Sequence, residues 1–203
     1  MITILDYGLG NIRAFENVYR RLNLPVSVAN TPGELMKAEK IILPGVGAFD
    51  WAMDCLNNSG LRDILDDMVL NKHIPILGVC VGMQMMANSS EEGVLPGLGW
   101  LDASVKRLVN VDIFPQIILP HMGWNDVIPS FEHPLFSGMN TPSFYFLHSY
   151  FISPVYPSQI LAKTQYGSEF TTAVSSSNIY GVQFHPEKSH AYGIQLLKNF
   201  ALL

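Results

Sequence analysis

In Ile74-Pro75-Ile76-Leu77-Gly78-Val79-Cys80-Val81-Gly82-Met83-Gln84 an apolar run leads into a cysteine with a glycine two residues to either side. The run predicts a buried strand over 74–79, and helical sequence follows over 83–87. The cysteine therefore stands at the apex of a strand–turn–helix, the context of a nucleophile elbow with Cys in place of Ser. The glycines permit a strained turn, and a helix N-terminus behind the thiol favours negative charge on sulfur.

A strand this apolar needs neighbours on both sides, and the first half of the chain supplies them. Short apolar runs over 2–5, 26–29 and 40–43 read as further strands. Between the first two, Asn11 opens a helix whose apolar residues Ile12, Phe15, Val18, Tyr19 and Leu22 recur at helical spacing. Residues 50–70 repeat that spacing, with a break at Asn57-Asn58-Ser59-Gly60. Alternating strands and helices predict an α/β fold, a parallel sheet covered on both faces. The second half is richer in β signal, over 104–108, 116–119, 144–147, 160–163, 171–174 and 179–184. These runs predict antiparallel strands packed onto the sheet, closed by a helix over 191–202. One domain over 1–203 is expected, without repeats or a long linker.

The composition narrows the function. The 203 residues are 48% hydrophobic and 14% charged, with a net charge of −5, which argues against nucleic acid as the main partner. No apolar stretch reaches the ~20 residues of a membrane helix. The sequence begins directly in strand-like residues, so a cytoplasmic enzyme without a signal peptide is expected. Two cysteines, Cys55 and Cys80, are too few for a disulfide framework. Neither a phosphate loop nor zinc-ligand spacing is present; no cofactor and no metal are expected.

Among the histidines at 73, 121, 133, 148, 185 and 190, His185 has the context of a base. It ends a predicted strand, Pro186 fixes the turn after it, and Glu187 lies two residues on, able to hold the imidazole in one tautomer. A thiolate–imidazolium pair with Cys80 would attack a carbonyl carbon. The developing oxyanion needs donors. The amide of Val81 is the expected first one, and Pro44-Gly45-Val46-Gly47 brings a second backbone N–H into reach.

Taken together, Pro44-Gly45-Val46-Gly47-Ala48-Phe49, the elbow through Gln84 and Gln183-Phe184-His185-Pro186-Glu187-Lys188-Ser189 resemble the class I, triad-type glutamine amidotransferases. Pro120-His121-Met122-Gly123-Trp124-Asn125 and His148-Ser149-Tyr150 are similar to the branch that serves as glutaminase subunit of imidazole glycerol phosphate synthase, in histidine biosynthesis. The resemblance covers essentially the whole chain. It implies a flavodoxin-like amidotransferase fold, a mostly parallel sheet with added antiparallel strands. Cys80, His185 and Glu187 are then the catalytic triad. Gln84, Glu92 and the backbone of His148, Ser149 and Tyr150 contact the glutamine, and Val46 and Gly47 complete the oxyanion hole with Val81. The implied partner is a (β/α)₈ cyclase subunit, HisF-like, in a heterodimer, with Asn11, Trp124, Tyr145 and Lys188 near the interface.

Two departures from the pattern stand out. Val81 follows the cysteine where Leu is usual, a swap that leaves the backbone donor in place. Ser189-His190-Ala191-Tyr192 and Phe49-Asp50 resemble instead a side branch that supplies ammonia to sugar amidotransferases of surface-polysaccharide synthesis. The alternative acceptor stays open on sequence alone.

Overall fold

The computed structural model describes residues 1–109 and 117–203. Thirteen strands and six α-helices are seen among them, in the order β1 (Ile2–Leu5), α1 (Ile12–Arg21), β2 (Val26–Ala29), α2 (Pro32–Leu35), β3 (Lys40–Gly45), α3 (Phe49–Asn58), α4 (Arg62–Asp66). A π-helical turn, Asp67–Asn71, extends α4. Then come β4 (Ile76–Cys80), α5 (Val81–Gln84), β5 (Ser89–Ser90), β6 (Ala103–Arg107), β7 (His121–Asp126) and β8 (Ile128–Pro129). The chain ends with β9 (Ser143–His148), β10 (Tyr150–Pro154), β11 (Ile160–Tyr166), β12 (Ser168–Ser176), β13 (Ile179–Val182) and α6 (His190–Leu202).

The central sheet runs β2-β1-β3-β4-β13-β12-β11-β8. Its first five strands are mutually parallel, and the last three continue it antiparallel. The α/β expectation holds, with one correction. β11 and β12 extend the sheet edge rather than packing onto it, because β12 finds a free hydrogen-bonding edge on β13. Two smaller sheets stand apart, β10-β6-β5 and the ribbon β7-β9. β1, β4 and all of β3 after Lys40 are buried on both faces, as a central parallel strand demands. The helices pair as α1 with α6, α2 with α4 and α3 with α5, and the Tyr19 hydroxyl donates to the Leu197 carbonyl at 3.2 Å between α1 and α6.

Register brings distant motifs to one end of the sheet. Gly45 lies opposite Cys80 where β3 pairs with β4, and Val182 lies opposite Val79 where β13 pairs with β4. The β3 turn, the elbow and the residues after β13 therefore emerge side by side at the carboxyl ends of parallel strands, where open α/β sheets place their sites.

Several sequence expectations shift by a few residues. β4 starts at Ile76 and ends on Cys80 itself, two residues inside and one beyond the expected span. The predicted helix over 83–87 is a single turn, Val81–Gln84, cut short because Met85 and Met86 use their carbonyls to accept from Leu98, Trp100 and Leu101. α2, β5, β7, β8 and β10 have no counterpart among the sequence-predicted elements. Of the predicted strand over 116–119, Gln116 lies outside the described residues and 117–119 form no strand.

Candidate active site

Cys80 takes φ +56° and ψ −115°, a conformation rare for any residue with a Cβ. The expected strain is present, but it falls on the cysteine and not on its flanking glycines. Gly82 serves close approach instead: a Cβ there would lie 2.1 Å from the Leu43 carbonyl oxygen. With only one turn of helix behind the elbow, a macrodipole contributes little to the sulfur. Its neighbours do more. The Sγ atom lies 3.6 Å from Nε2 of Gln183 and 4.0 Å from the Leu147 carbonyl oxygen.

His185 is buried and donates from Nδ1 to Oε1 of Glu187 at 2.9 Å. Its other ring nitrogen is left for the Cys80 sulfur. Burial opposes charge on the imidazole, yet Cys80 and Glu187 outweigh it and raise the ring from its ordinary 6.5 to about 10. The imidazolium is thus the resting form at neutral pH. The turn that carries it is stapled to β9: the His185 N–H donates to the Tyr145 carbonyl at 2.9 Å, and the Tyr145 N–H donates to Ser189 Oγ at 2.9 Å. Ser189 Oγ in turn donates to the His185 carbonyl at 2.6 Å.

One cavity of about 290 Å³ joins these groups. Cys80, Val81, His185 and Lys188 form part of its wall, with Val46 and Gly47 from the turn after β3. Gln84 and Glu92 line it as well, as do Pro120, Leu147, His148, Ser149 and Tyr150. Glu187 stands behind the imidazole, its second oxygen buried without a partner. The sequence-predicted triad, oxyanion and substrate residues therefore converge on one hollow. Glu92 also accepts from the N–H of Phe49 at 2.9 Å, tying the cavity wall to the start of α3 and hence to the turn that carries Val46 and Gly47.

The polar wall has defined donors and acceptors. The Tyr150 carbonyl can only accept, so the His148 Nδ1 that lies 2.8 Å away carries a proton. His148 Nε2 is then an acceptor, filled by Nδ1 of His121 at 3.0 Å, and His121 Nε2 accepts from Asn125 Nδ2 at 3.2 Å. Both rings are neutral. Burial holds His121 down to about 4 and His148 to about 3. Gln84 Nε2 gives one proton to Tyr150 O at 2.9 Å and the other to Gln183 Oε1 at 3.0 Å, which leaves only its carbonyl for a ligand's N–H.

The expected interface residues fall outside the hollow, with the exception of Lys188. Trp124, 50% exposed, faces Tyr145 edge-on at 6.4 Å and stacks flat on His190 at 5.2 Å and 4°. The Lys188 ammonium lies 5.8 Å over the Tyr145 ring. Asn11 is exposed on the loop after β1, one residue past Gly10, which packs on Pro44. Alternation along the β7-β9 ribbon sends Met122 and Leu147 outward beside Trp124, where Met122 is 66% exposed. The result is an apolar rim next to the cavity mouth. Three polar members of the site had no role from sequence: His121, Asn125 and Gln183. All three sit inside motifs the sequence displays, but only the folded contacts give them partners.

Among the described residues no cluster of His, Cys, Asp and Glu could hold a metal ion, and no helix is long and apolar enough to cross a membrane.

Comparison with known proteins agrees with this fold. Solved structures of similar fold include a glutamine amidotransferase at TM-score 0.73, 18% identical, covering 98% of each chain. PurLQS from Thermotoga maritima also reaches TM-score 0.73, at 17% identity over 99% of this chain and 97% of its own. At the sequence level, "Imidazole glycerol phosphate synthase subunit HisH" of Bdellovibrio bacteriovorus is 58% identical over 202 residues, 99% of both chains. "Imidazole glycerol phosphate synthase subunit HisH 2" of Pseudomonas aeruginosa is 48% identical over 204 residues and the whole of both. The family model "Glutamine amidotransferase class-I" matches residues 3–203. With that match along nearly its whole length, and with a cysteine, a histidine and a glutamate gathered at the carboxyl ends of its parallel strands, the chain belongs to the class-I glutamine amidotransferases.

Proposed function

We propose that the chain hydrolyses glutamine to glutamate and ammonia and delivers the ammonia to a cyclase subunit of imidazole glycerol phosphate synthase. The observation that carries the chemistry is the buried Cys80–His185–Glu187 alignment at one cavity. Cys80 sulfur attacks the side-chain amide carbon while the carbonyl π pair moves to oxygen. The N–H of Val81 and a backbone N–H of the Val46–Gly47 turn receive that oxyanion. His185, held as imidazolium by Glu187, protonates the departing nitrogen, so the C–N bond breaks and ammonia leaves. Water, deprotonated by the now neutral imidazole, cleaves the thioester and releases glutamate. Gln84, Glu92 and the backbone of 148–150 hold the substrate.

The acceptor is supported by relatives that share the full length of this chain and are named as subunits of that synthase. A cyclase of the (β/α)₈, HisF-like kind would dock on the exposed rim of Met122, Trp124 and Leu147, beside the half-buried Tyr145, with Asn11 and Lys188 near its edge. The site is cytoplasmic in this reading, and residues 1–203 act as one domain. A second reading, the same chemistry feeding a sugar amidotransferase, draws on His190 lying flat over Trp124 and so reshaping that rim. Glutamate release, measured alone and with the cyclase and its ribonucleotide ligand, separates the two: strong stimulation supports the cyclase. No stimulation of a chain whose Cys80 still takes up a glutamine-like alkylating analogue overturns the cyclase reading and favours the sugar enzyme.

A further inference from the structure

Gln183 follows β13 with its side chain wholly shielded from solvent, 0% exposed, and no step above uses it. Its orientation is set by a chain of single-role groups. The Tyr150 carbonyl can only accept, so the Gln84 atom 2.9 Å from it is the amide nitrogen. That nitrogen also lies 3.0 Å from Gln183, whose facing atom must therefore be oxygen. The Gln183 amino group is turned by default toward Cys80, with Nε2 3.6 Å from Sγ.

An N–H donor aimed at sulfur does little for a neutral thiol and much more for a thiolate, since hydrogen bonds to charged acceptors are the stronger kind. The pocket around Cys80 is buried, so an anion there has lost most of its water and needs fixed dipoles in exchange. The one-turn helix behind the elbow supplies little, and His185 is a single partner of the sulfur. Gln183 reaches it from β13, the neighbouring strand.

We infer that Gln183 is a fourth catalytic residue, which stabilises the Cys80 thiolate through its amide N–H and is held in that pose by Gln84 and the Tyr150 carbonyl. The proposal rests on the glutaminase reading of the site. With the Cys80 proton already held on His185 as imidazolium, the electron pair rests on sulfur, facing the Gln183 N–H. As the C–S bond forms, that charge moves through the amide carbon to the oxyanion, and the Gln183 contact weakens. Gln183 exchanges no proton.

The test is the pH profile of iodoacetamide alkylation of the full chain, read by mass on the Cys80 peptide so that Cys55 does not interfere. Gln183→Met keeps the length and loses the donor. The expected result is a profile displaced to higher pH, with alkylation near neutrality slowed roughly tenfold, as loss of one hydrogen bond to a charged group implies. The kcat for glutamate release should fall with KM little changed. A folded Gln183→Met protein with the wild-type alkylation profile overturns the inference. Should that variant not fold, Gln183→Glu preserves the shape and sets a carboxylate against the sulfur. It must displace the profile further upward, and an unchanged profile again overturns the inference. Wild-type protein that alkylates at Cys80 but never releases glutamate would instead remove the glutaminase reading, and the alkylation profile would still decide on Gln183.

Discussion

His121 donates its Nδ1 proton to Nε2 of His148 across 3.0 Å, and both rings are neutral. The arrangement presents the backbone of 148–150 to the cavity, because His148 spends its own proton on the Tyr150 carbonyl. His121 is clamped between Phe146 at 4.7 Å and Tyr166 at 4.0 Å, so the ring cannot turn away. A proton added to either ring leaves two donors facing one another.

Acid should therefore loosen this wall. Both histidines titrate lower in the folded chain than their ordinary 6.5, at about 4 and about 3, so the unfolded chain takes up protons first as pH falls. Their contribution to stability is present above 6.5 and is lost progressively from there down through 4 and 3. Tm measured from pH 7 to pH 4 should fall, and less steeply for His121→Gln. That variant should also raise KM for glutamine at neutral pH by about fivefold or more, the cost of breaking one buried hydrogen bond. An unchanged KM would detach the pair from substrate binding.

Glu187 acts on the opposite sign. Together with Cys80, the larger influence, it holds the His185 charge up against burial, with the imidazole at about 10, so that contribution to stability is complete below 6.5 and lost as pH rises through 10. Glu187→Gln should lower the alkaline limb of the kcat profile and reduce kcat by roughly 10²- to 10⁴-fold, less than loss of the nucleophile. Equal severity would assign Glu187 a further role, for which its unpartnered buried oxygen is the place to look.

Phe184, between Gln183 and His185, points the other way and stacks on Phe144 at 3.9 Å and 16°. It is fully buried. Phe184→Ala should cost about 3–5 kcal/mol in denaturant unfolding, as large-to-small aromatic changes in cores do. A loss under about 1 kcal/mol would mean the site is not anchored through this stack.

Trp124 on the rim should matter only in the complex. Trp124→Ala is expected to weaken cyclase binding by about 2 kcal/mol, in the range of an interface hot spot, while the free chain keeps its thermal stability. Titration calorimetry against the cyclase measures the first and a melting curve the second. Unaltered affinity would move the interface elsewhere.

Much of this was legible in the sequence for physical reasons. Continuous apolar runs such as Ile41-Ile42-Leu43 have no alternative to a buried parallel strand, and the elbow motif needs a strand before it. Other features were not. β7, His121–Asp126, alternates Met122 and Trp124 against His121 and Gly123, a polar and glycine-bearing pattern that hides a strand whose inner face is built on a histidine. The short α5 depends on hydrogen bonds to residues 98–101, which no local propensity reveals. Gln183 was visible in its motif, but its partners Gln84 and Cys80 lie 99 and 103 residues away. Side-chain networks of that span exist only once the register of β4 and β13 is fixed.

On this mechanism Cys80 makes ammonia for another subunit. The measurement that tests it most directly is Cys80→Ser in complex with the cyclase, assayed with glutamine and separately with ammonium salt. Glutamine-dependent turnover should fall by roughly 10⁴-fold or more while ammonium-dependent turnover is kept. Equal loss with both nitrogen sources, or persistence with glutamine, would contradict it.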